Sequence, residues 1–329
     1  MKKVIVLLVV ITISSTAVIV GYYKKGYKAN LNKPTFAFII NVPGRFWDIA
    51  YAGCQKAARE ENVNIDFQVP GQSSAAQQKQ IVESLIAKGV NGLAISPLNP
   101  ESISRLLDEA AEYMPVICQD SDAPNSKRVC YIGTDNVDAG RQAAEQLKKA
   151  LPNGGEIAVF VGKLDVANAR ERYQGVADAM KDSNCKIVEV FTDQADRTRA
   201  QLNVRAALAK YPNLKGIVGL WGYNAPAAVM ALKDAPAYDV KIVSFDEDIE
   251  TLEAIRRGQI FCSIVQNPYE FGYQSIKLLA KLHRKESVEI PKSKMIFIPV
   301  RVVSSKNVDE IEKSIDFNLS MLDKKIKNY

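Results

Sequence analysis

Short apolar, β-branched runs alternate with stretches of helical spacing along most of this chain, and the alternation occurs twice. Runs at 35–41, 64–69, 92–96, 116–119 and 129–133 are interleaved with helical stretches at 46–61, 75–88 and 101–113. The pattern then restarts. Runs at 156–161, 186–191, 216–220, 240–245 and 260–265 are interleaved with helical stretches at 138–151, 168–182, 197–210, 223–233 and 247–257. Apolar runs of this length, bounded by turn residues, predict buried strands. Strands separated by helices of this length predict right-handed βαβ units and parallel sheets. The expected fold is therefore α/β, with two doubly wound parallel-sheet lobes. A length of 329 residues exceeds what one core usually organises and agrees with two.

In open α/β sheets, ligands bind just outside the carboxyl ends of the strands. Those ends are chemically distinctive here. The run ending at Gln119 is followed by Asp120-Ser121-Asp122, and the next run ends in Gly133-Thr134-Asp135-Asn136. Capping of the following segment is the alternative for Asp120 and Asp135, and that stretch alone leaves it open. The fourth run of the second half ends in Asp246-Glu247-Asp248. Capping explains a matched pair of acids less well than it explains one. If the two sheets face each other across a cleft, Asp120 and Asp246 both point into it.

Aromatic and basic residues fall at the same level. Phe46-Trp47 follow Pro43-Gly44 after the first run, Trp221 follows the run at 216–220, and Ala169-Arg170-Glu171-Arg172 opens the helix after 156–161. Gln266 follows the run at 260–265. A lone aromatic reads as core. Three of them beside carboxylates predict a concave site for a sugar ring: flat faces receive its C–H groups, and carboxylates, amides and Arg take its hydroxyls.

Composition removes several function classes. The chain carries 43 Lys and Arg against 37 Asp and Glu, and much of the excess lies in the two ends. No basic stripe with interleaved aromatics is present, so nucleic acid is not an expected partner. The single histidine, His283, lies in a lysine-rich helical stretch, which argues against His-dependent triads and multi-His metal sites. No dinucleotide-binding glycine pattern, P-loop or nucleophile-elbow motif occurs, and no cofactor or metal is expected. Residues 1–30 hold Lys2-Lys3 and an apolar run at 4–20, which reads as an export signal peptide or as a retained signal anchor. Cys118 and Cys130 lie in consecutive runs and form a candidate disulfide, with two buried free thiols as the alternative. The tail at 304–329 places Ile311, Ile315, Leu319, Leu322 and Ile326 at amphipathic helical spacing.

The ordered set Phe46-Trp47, Asp120-Ser121-Asp122, Ile132-Gly133-Thr134-Asp135-Asn136, Ala169-Arg170-Glu171-Arg172, Phe245-Asp246 and Gln266 resembles periplasmic sugar-binding proteins of the ribose/galactose type. These are kin of the ligand cores of lac-type repressors. The resemblance spans about residues 35–303. It implies that Phe46 and Trp47 stack on the sugar and that Asp120, Arg172, Asp246 and Gln266 bind hydroxyls. Ribose binders carry Arg where this chain has Ser121, an amide near Ser96, and Asn at the position of Trp221, where Asn224 is a nearby source of that amide. These departures weigh against ribose itself. The resemblance also implies a three-crossover hinge near 134–136, 265–267 and 294–296. The first lobe would be 35–135 plus 267–294, and the second 136–266 plus 295–303.

The function so implied is an extracytoplasmic, periplasmic solute-binding protein that captures a sugar or polyol and delivers it to an ABC permease. If residues 1–30 are uncleaved, they anchor it to the inner membrane. A ligand-presenting co-receptor for a membrane sensor kinase is the alternative. A carbohydrate-acting enzyme that uses Asp120 and Asp246 as acid and base is the weaker one. A repressor would need a helix-turn-helix where the apolar segment stands.

Overall fold

The computed structural model describes residues 33–71, 74–233 and 239–322. The expected signal or anchor at 1–30, and Ile326 of the tail, lie outside the described residues. The first half runs β1 (Thr35–Ile39), α1 (Arg45–Glu61), β2 (Asn64–Gln68), α2 (Ala75–Lys88), β3 (Gly92–Ile95), α3 (Pro100–Ala111), β4 (Val116–Gln119) and β5 (Cys130–Gly133). The second runs α4 (Asn136–Ala150), β6 (Gly155–Val161), α5 (Ala167–Met180), β7 (Cys185–Thr192), α6 (Arg197–Lys210), β8 (Leu214–Gly219), α7 (Asn224–Lys233), β9 (Lys241–Phe245), α8 (Ile249–Arg256) and β10 (Cys262–Val265). There follow α9 (Pro268–His283), β11 (Met295–Phe297), β12 (Arg301–Ser304) and α10 (Val308–Ser320).

The strands form two sheets, ordered β2-β1-β3-β4-β5-β11 and β7-β6-β8-β9-β10-β12. All pairings are parallel except that of β12 with β10. Both faces of each sheet are covered, which is why the strands read as continuous apolar runs. In β1, Phe36 and Phe38 join the core under α1 and α9, while Ala37 and Ile39 join the core under α2 and α3.

The chain passes between sheets after β5, after β10 and between β11 and β12. The third passage corrects the sequence reading, which put it at 294–296 and gave 295–303 to the second lobe. Met295 to Phe297 pair with Tyr131 to Gly133 of the first sheet, and only Arg301 to Ser304 pair with the second. The passage therefore lies at 298–300, where Pro299 and its neighbours separate two strands that look like one apolar run.

The candidate disulfide is also corrected. All five cysteines are free and buried. Cys130 stands opposite Ile117, and Cys118 opposite Tyr131. The one-residue offset sends the two thiols to opposite faces of the sheet: Cys118 lies in the core under α2 and α3, Cys130 in the core under α1 and α9.

The amphipathic tail forms α10. Val308, Ile311 and Ile315 are buried in a second-lobe core, with Leu319 packed against it and Leu322 against a first-lobe core. Asp309 and Glu312 pair with Arg256 of α8, while Asp316 pairs with Arg45 of α1 at 3.2 Å. The helix thus touches both lobes.

Candidate ligand-binding site

The carboxyl ends of both sheets face a common cavity of about 700 Å³. The first lobe contributes Phe46, Trp47 and Asp120, the second Arg172, Trp221 and Asp246, and the second crossing Gln266. These are seven of the eight candidate residues named from the sequence. The eighth, Asn224, does not line it, and this expectation is corrected. Asn224 is buried at the start of α7, its Oδ1 accepting from the Trp221 N–H at 2.9 Å and its Nδ2 donating to Asp193 at 2.9 Å. The amide has the right composition for a ligand contact, but it is committed to holding the Trp221 loop.

Asp120 and Asp246 occupy equivalent places in the two lobes. Each follows a strand in the left-handed region, with φ of 60° and 62°. Each N–H is bonded to the adjacent strand, Asp120 to the Ile132 carbonyl at 3.2 Å and Asp246 to that of Ile264 at 3.0 Å. Each carbonyl accepts a hydroxyl from that strand: Tyr131 at 2.9 Å for Asp120, Ser263 at 2.6 Å for Asp246. Neither acid caps a helix. Asp135 does, accepting from the Asp138 N–H at 3.0 Å at the head of α4.

The two side chains are held differently. Asp120 Oδ2 accepts from Ser96 at 2.8 Å, Ser121 at 3.3 Å and Asn41 at 3.4 Å. Burial pushes its carboxyl up to about 6, against the opposing pull of the Ser96 bond and the Arg172 charge. Asp246 Oδ1 accepts from Gln266 Nε2 at 2.9 Å, and Gln266 Oε1 accepts from Thr134 at 2.9 Å. Gln266 therefore ties the first crossing to the second-lobe acid.

Arg172 is buried in the wall. Its Nε donates to Asn136 at 3.0 Å and its Nη1 to the Leu220 carbonyl at 2.9 Å, with the guanidinium 4.5 Å above the Phe245 ring. The close packing of α4 on α5 fixes it. A Cβ on Gly140 would lie 2.0 Å from the Arg172 carbonyl oxygen, and one on Gly175 would lie 1.9 Å from that of Val137, so both positions require glycine.

The aromatics have distinct supports. Trp47 is buried, donates to Asn41 at 3.1 Å, and stands edge-on to Phe46 at 4.9 Å. Phe46 is less buried and offers more open surface. Trp221 lies so close over Gly162 that a Cβ there would come within 1.9 Å of its ring.

Arg45, Arg197, Glu247 and Asp248 also line the cavity and were not singled out as ligand residues from sequence. Their neighbours in sequence were the available signal: Arg45 precedes Phe46-Trp47, and Glu247-Asp248 follow Asp246. Glu247 is buried, with Oε2 lacking a hydrogen-bond partner. Burial, then the Asp246 charge, pushes its carboxyl up to about 8. Burial likewise raises Asp248, with the Asp246 charge adding to it.

Comparison with known proteins is consistent with this architecture. A periplasmic binding protein domain family matches residues 36–287. The chain is 25% identical to the ribose import binding protein of Salmonella typhimurium over 292 residues, 88% of this chain and 95% of that protein. A solute-binding protein of an ABC transporter from Burkholderia graminis, solved in complex with D-arabinose, superimposes with a TM-score of 0.78. Its identity is 32%, over 83% of this chain and 96% of that one. XylFII, solved in a complex with LytSN, gives 0.75 at 27% identity, over 83% of this chain and 98% of that one. With its two sheets, three crossings and interlobe cavity, the chain belongs to the periplasmic binding protein domain family.

Proposed function

We propose that the protein is an extracytoplasmic solute-binding protein that captures a sugar or sugar-like polyol between its lobes and delivers it to an ABC importer. The observation that carries this reading is a cavity walled from both lobes, with aromatic faces and directional polar groups at the strand ends. A ligand touching both walls makes its full contacts only when the lobes close. It therefore shifts the open–closed balance by the difference in those contacts. Phe46, Trp47 and Trp221 would take the apolar ring faces. Asp120, Arg172, Asp246 and Gln266 would take hydroxyls. Relatives named for binding and import favour this role over carbohydrate chemistry.

A thermal-shift screen of pentoses and hexoses, followed by calorimetry and product analysis, tests this. A true ligand at a hundredfold excess over its Kd should stabilise the fold by about 2.7 kcal/mol and be recovered unchanged. A panel without any shift, or conversion of the sugar, would overturn the reading.

Presentation of ligand to a membrane sensor kinase is the second reading. It is favoured by the XylFII–LytSN neighbour and by the exposed Phe317 of α10 and Met321 just after it. Co-purification of the ligand-loaded protein with either the permease or the sensor ectodomain separates the two. Among the described residues no helix is long and apolar enough to cross a membrane. N-terminal sequencing of the exported protein decides between a cleaved signal and an anchor at 1–30.

A further inference from the structure

The second-lobe wall contains three consecutive carboxylates, Asp246, Glu247 and Asp248, between β9 and α8. An acid at a helix start ordinarily accepts a backbone N–H of the first turn. Asp248 stands at that position and makes no such side-chain bond. Its Oδ2 instead lies 3.1 Å from where a Cβ on Gly222 would sit, beside Trp221. Glu247 is 4% exposed, lines the cavity, and keeps Oε2 without a partner. Asp246 uses one oxygen, for Gln266.

Among the described residues, the cations around the same cavity make no close ion pair with Asp246 or Glu247; Arg301 and Arg45 act on Glu247 only from beyond ion-pair distance. Arg172 donates to Asn136 and the Leu220 carbonyl, Arg45 pairs with Asp316, and Arg197 pairs with Glu250 at 3.0 Å, reaching Asp248 only at 4.0 Å. Lys163, also in the wall, is bonded to none of the three acids. A buried carboxylate without a close ion pair is costly, and such a site favours a ligand that brings a charge into contact with it. A bare metal ion does not fit. Among the described residues no group of three or more His, Cys, Asp or Glu is spaced to hold one. Trp221 in the same wall adds a face that attracts cations.

We propose that the ligand is a cationic polyol, an amino sugar or aminocyclitol, whose protonated amine is held by Glu247 and Asp248 beside Trp221 while its hydroxyls engage Asp120, Arg172 and Asp246. This rests on the reading of the interlobe cavity as the ligand site. The arriving ammonium favours the ionised form of Glu247, which gives up to solvent the proton that burial left on it; the carboxylates then supply acceptors directed at the ammonium donors, and the hydroxyl-binding groups set the ring's orientation.

Calorimetry at about pH 6.5, where such amines are protonated, should compare D-glucosamine, D-galactosamine and D-mannosamine with glucose, galactose and mannose and with the neutral N-acetyl derivatives. The best amine should bind at least about tenfold tighter than its hydroxyl and N-acetyl counterparts. In Glu247→Gln, with the fold checked by circular dichroism, that preference should narrow to within about threefold. Neutral hexoses binding as tightly as the amines in the parent would overturn the cationic assignment and leave the cavity as the sugar site. Absence of binding by every compound to folded parent protein would remove the cavity reading and the amine with it. A preference that survives both Glu247→Gln and Asp248→Asn would overturn the assignment to these acids.

Discussion

Asp120 and Asp246 share a backbone position and differ in everything around the carboxylate. Both follow their lobe's fourth strand with positive φ, and both are bonded to the next strand through N–H and carbonyl. Asp120 is then surrounded by Ser96, Ser121 and Asn41, within its own lobe. Asp246 has one side-chain partner, Gln266, which belongs to a crossing, and shares its wall with two more acids. The first lobe presents an acceptor already satisfied and fixed in direction. The second presents acceptors still open. The repeated architecture thus supplies the same geometry twice, and the neighbouring side chains decide whether a carboxylate's oxygens are taken or left open.

The largest expected effect tests that asymmetry directly. Asparagine is the suitable replacement, because it tolerates positive φ better than alanine. Asp246→Asn should weaken ligand binding about 100-fold, since it replaces a carboxyl whose only side-chain partner among the described residues is Gln266 with an amide that offers one acceptor oxygen. Asp120→Asn should cost about tenfold, because Ser96 and Asn41 continue to hold the side chain in place. Calorimetry of both variants with the same ligand measures the ratio. Equal losses would break the comparison, and a larger loss at Asp120 would invert it.

Thermal melts across pH sharpen the comparison. Glu247 keeps its proton up to about 8 in the fold, against 4.5 for an unperturbed Glu. Between those values the folded chain binds more protons than the unfolded one. Stability therefore falls as pH rises, by at most about 1.4 kcal/mol per unit. Asp120 acts in the same sense over a lower window, from 3.8 to about 6. Glu247→Gln should flatten the melting temperature between about pH 5 and 8, and Asp120→Asn only the lower part of that range. A parent whose melting temperature is level across both windows would contradict the burial of both acids.

The smallest expected effect is a control. His283 is exposed at the end of α9 and touches Phe36 edge-on at 5.9 Å, away from the cavity. His283→Ala should leave ligand affinity within about twofold. A larger loss would mean that this end of α9 reports on closure.

Much of this was legible in the sequence, for identifiable reasons. Strands buried on both faces give continuous apolar runs, so the alternation survived into two sheets that are parallel but for β12. The acids at 120 and 246 stood out because a repeat placed them twice. The misplaced third crossing has a simple cause: Met295 to Val303 is apolar almost throughout, and only pairing distinguishes its two strands. The cysteine pairing failed on register, a one-residue property that composition does not carry. Asn224 failed because an amide's type does not give its direction. Glu247 lies between two residues that look like ordinary helix-start acids, and its burial without a close ion pair among the described residues arises from tertiary packing.

The left-handed backbone at Asp120 and Asp246 has a consequence for protein engineering. Glycine is the residue most at ease there, and an aspartate held in that region gives up on the order of 1 kcal/mol. Replacement of either acid by glycine should therefore relieve the backbone, against the loss of the bonds from Ser96 to Asp120 and from Gln266 to Asp246, while removing a proposed recognition group. Where the relief outweighs those bonds, selection for heat tolerance alone, with no ligand present, would drift toward those glycines. A thermostable scaffold made in that way would keep both sheets and all three crossings and lose its appetite for cargo.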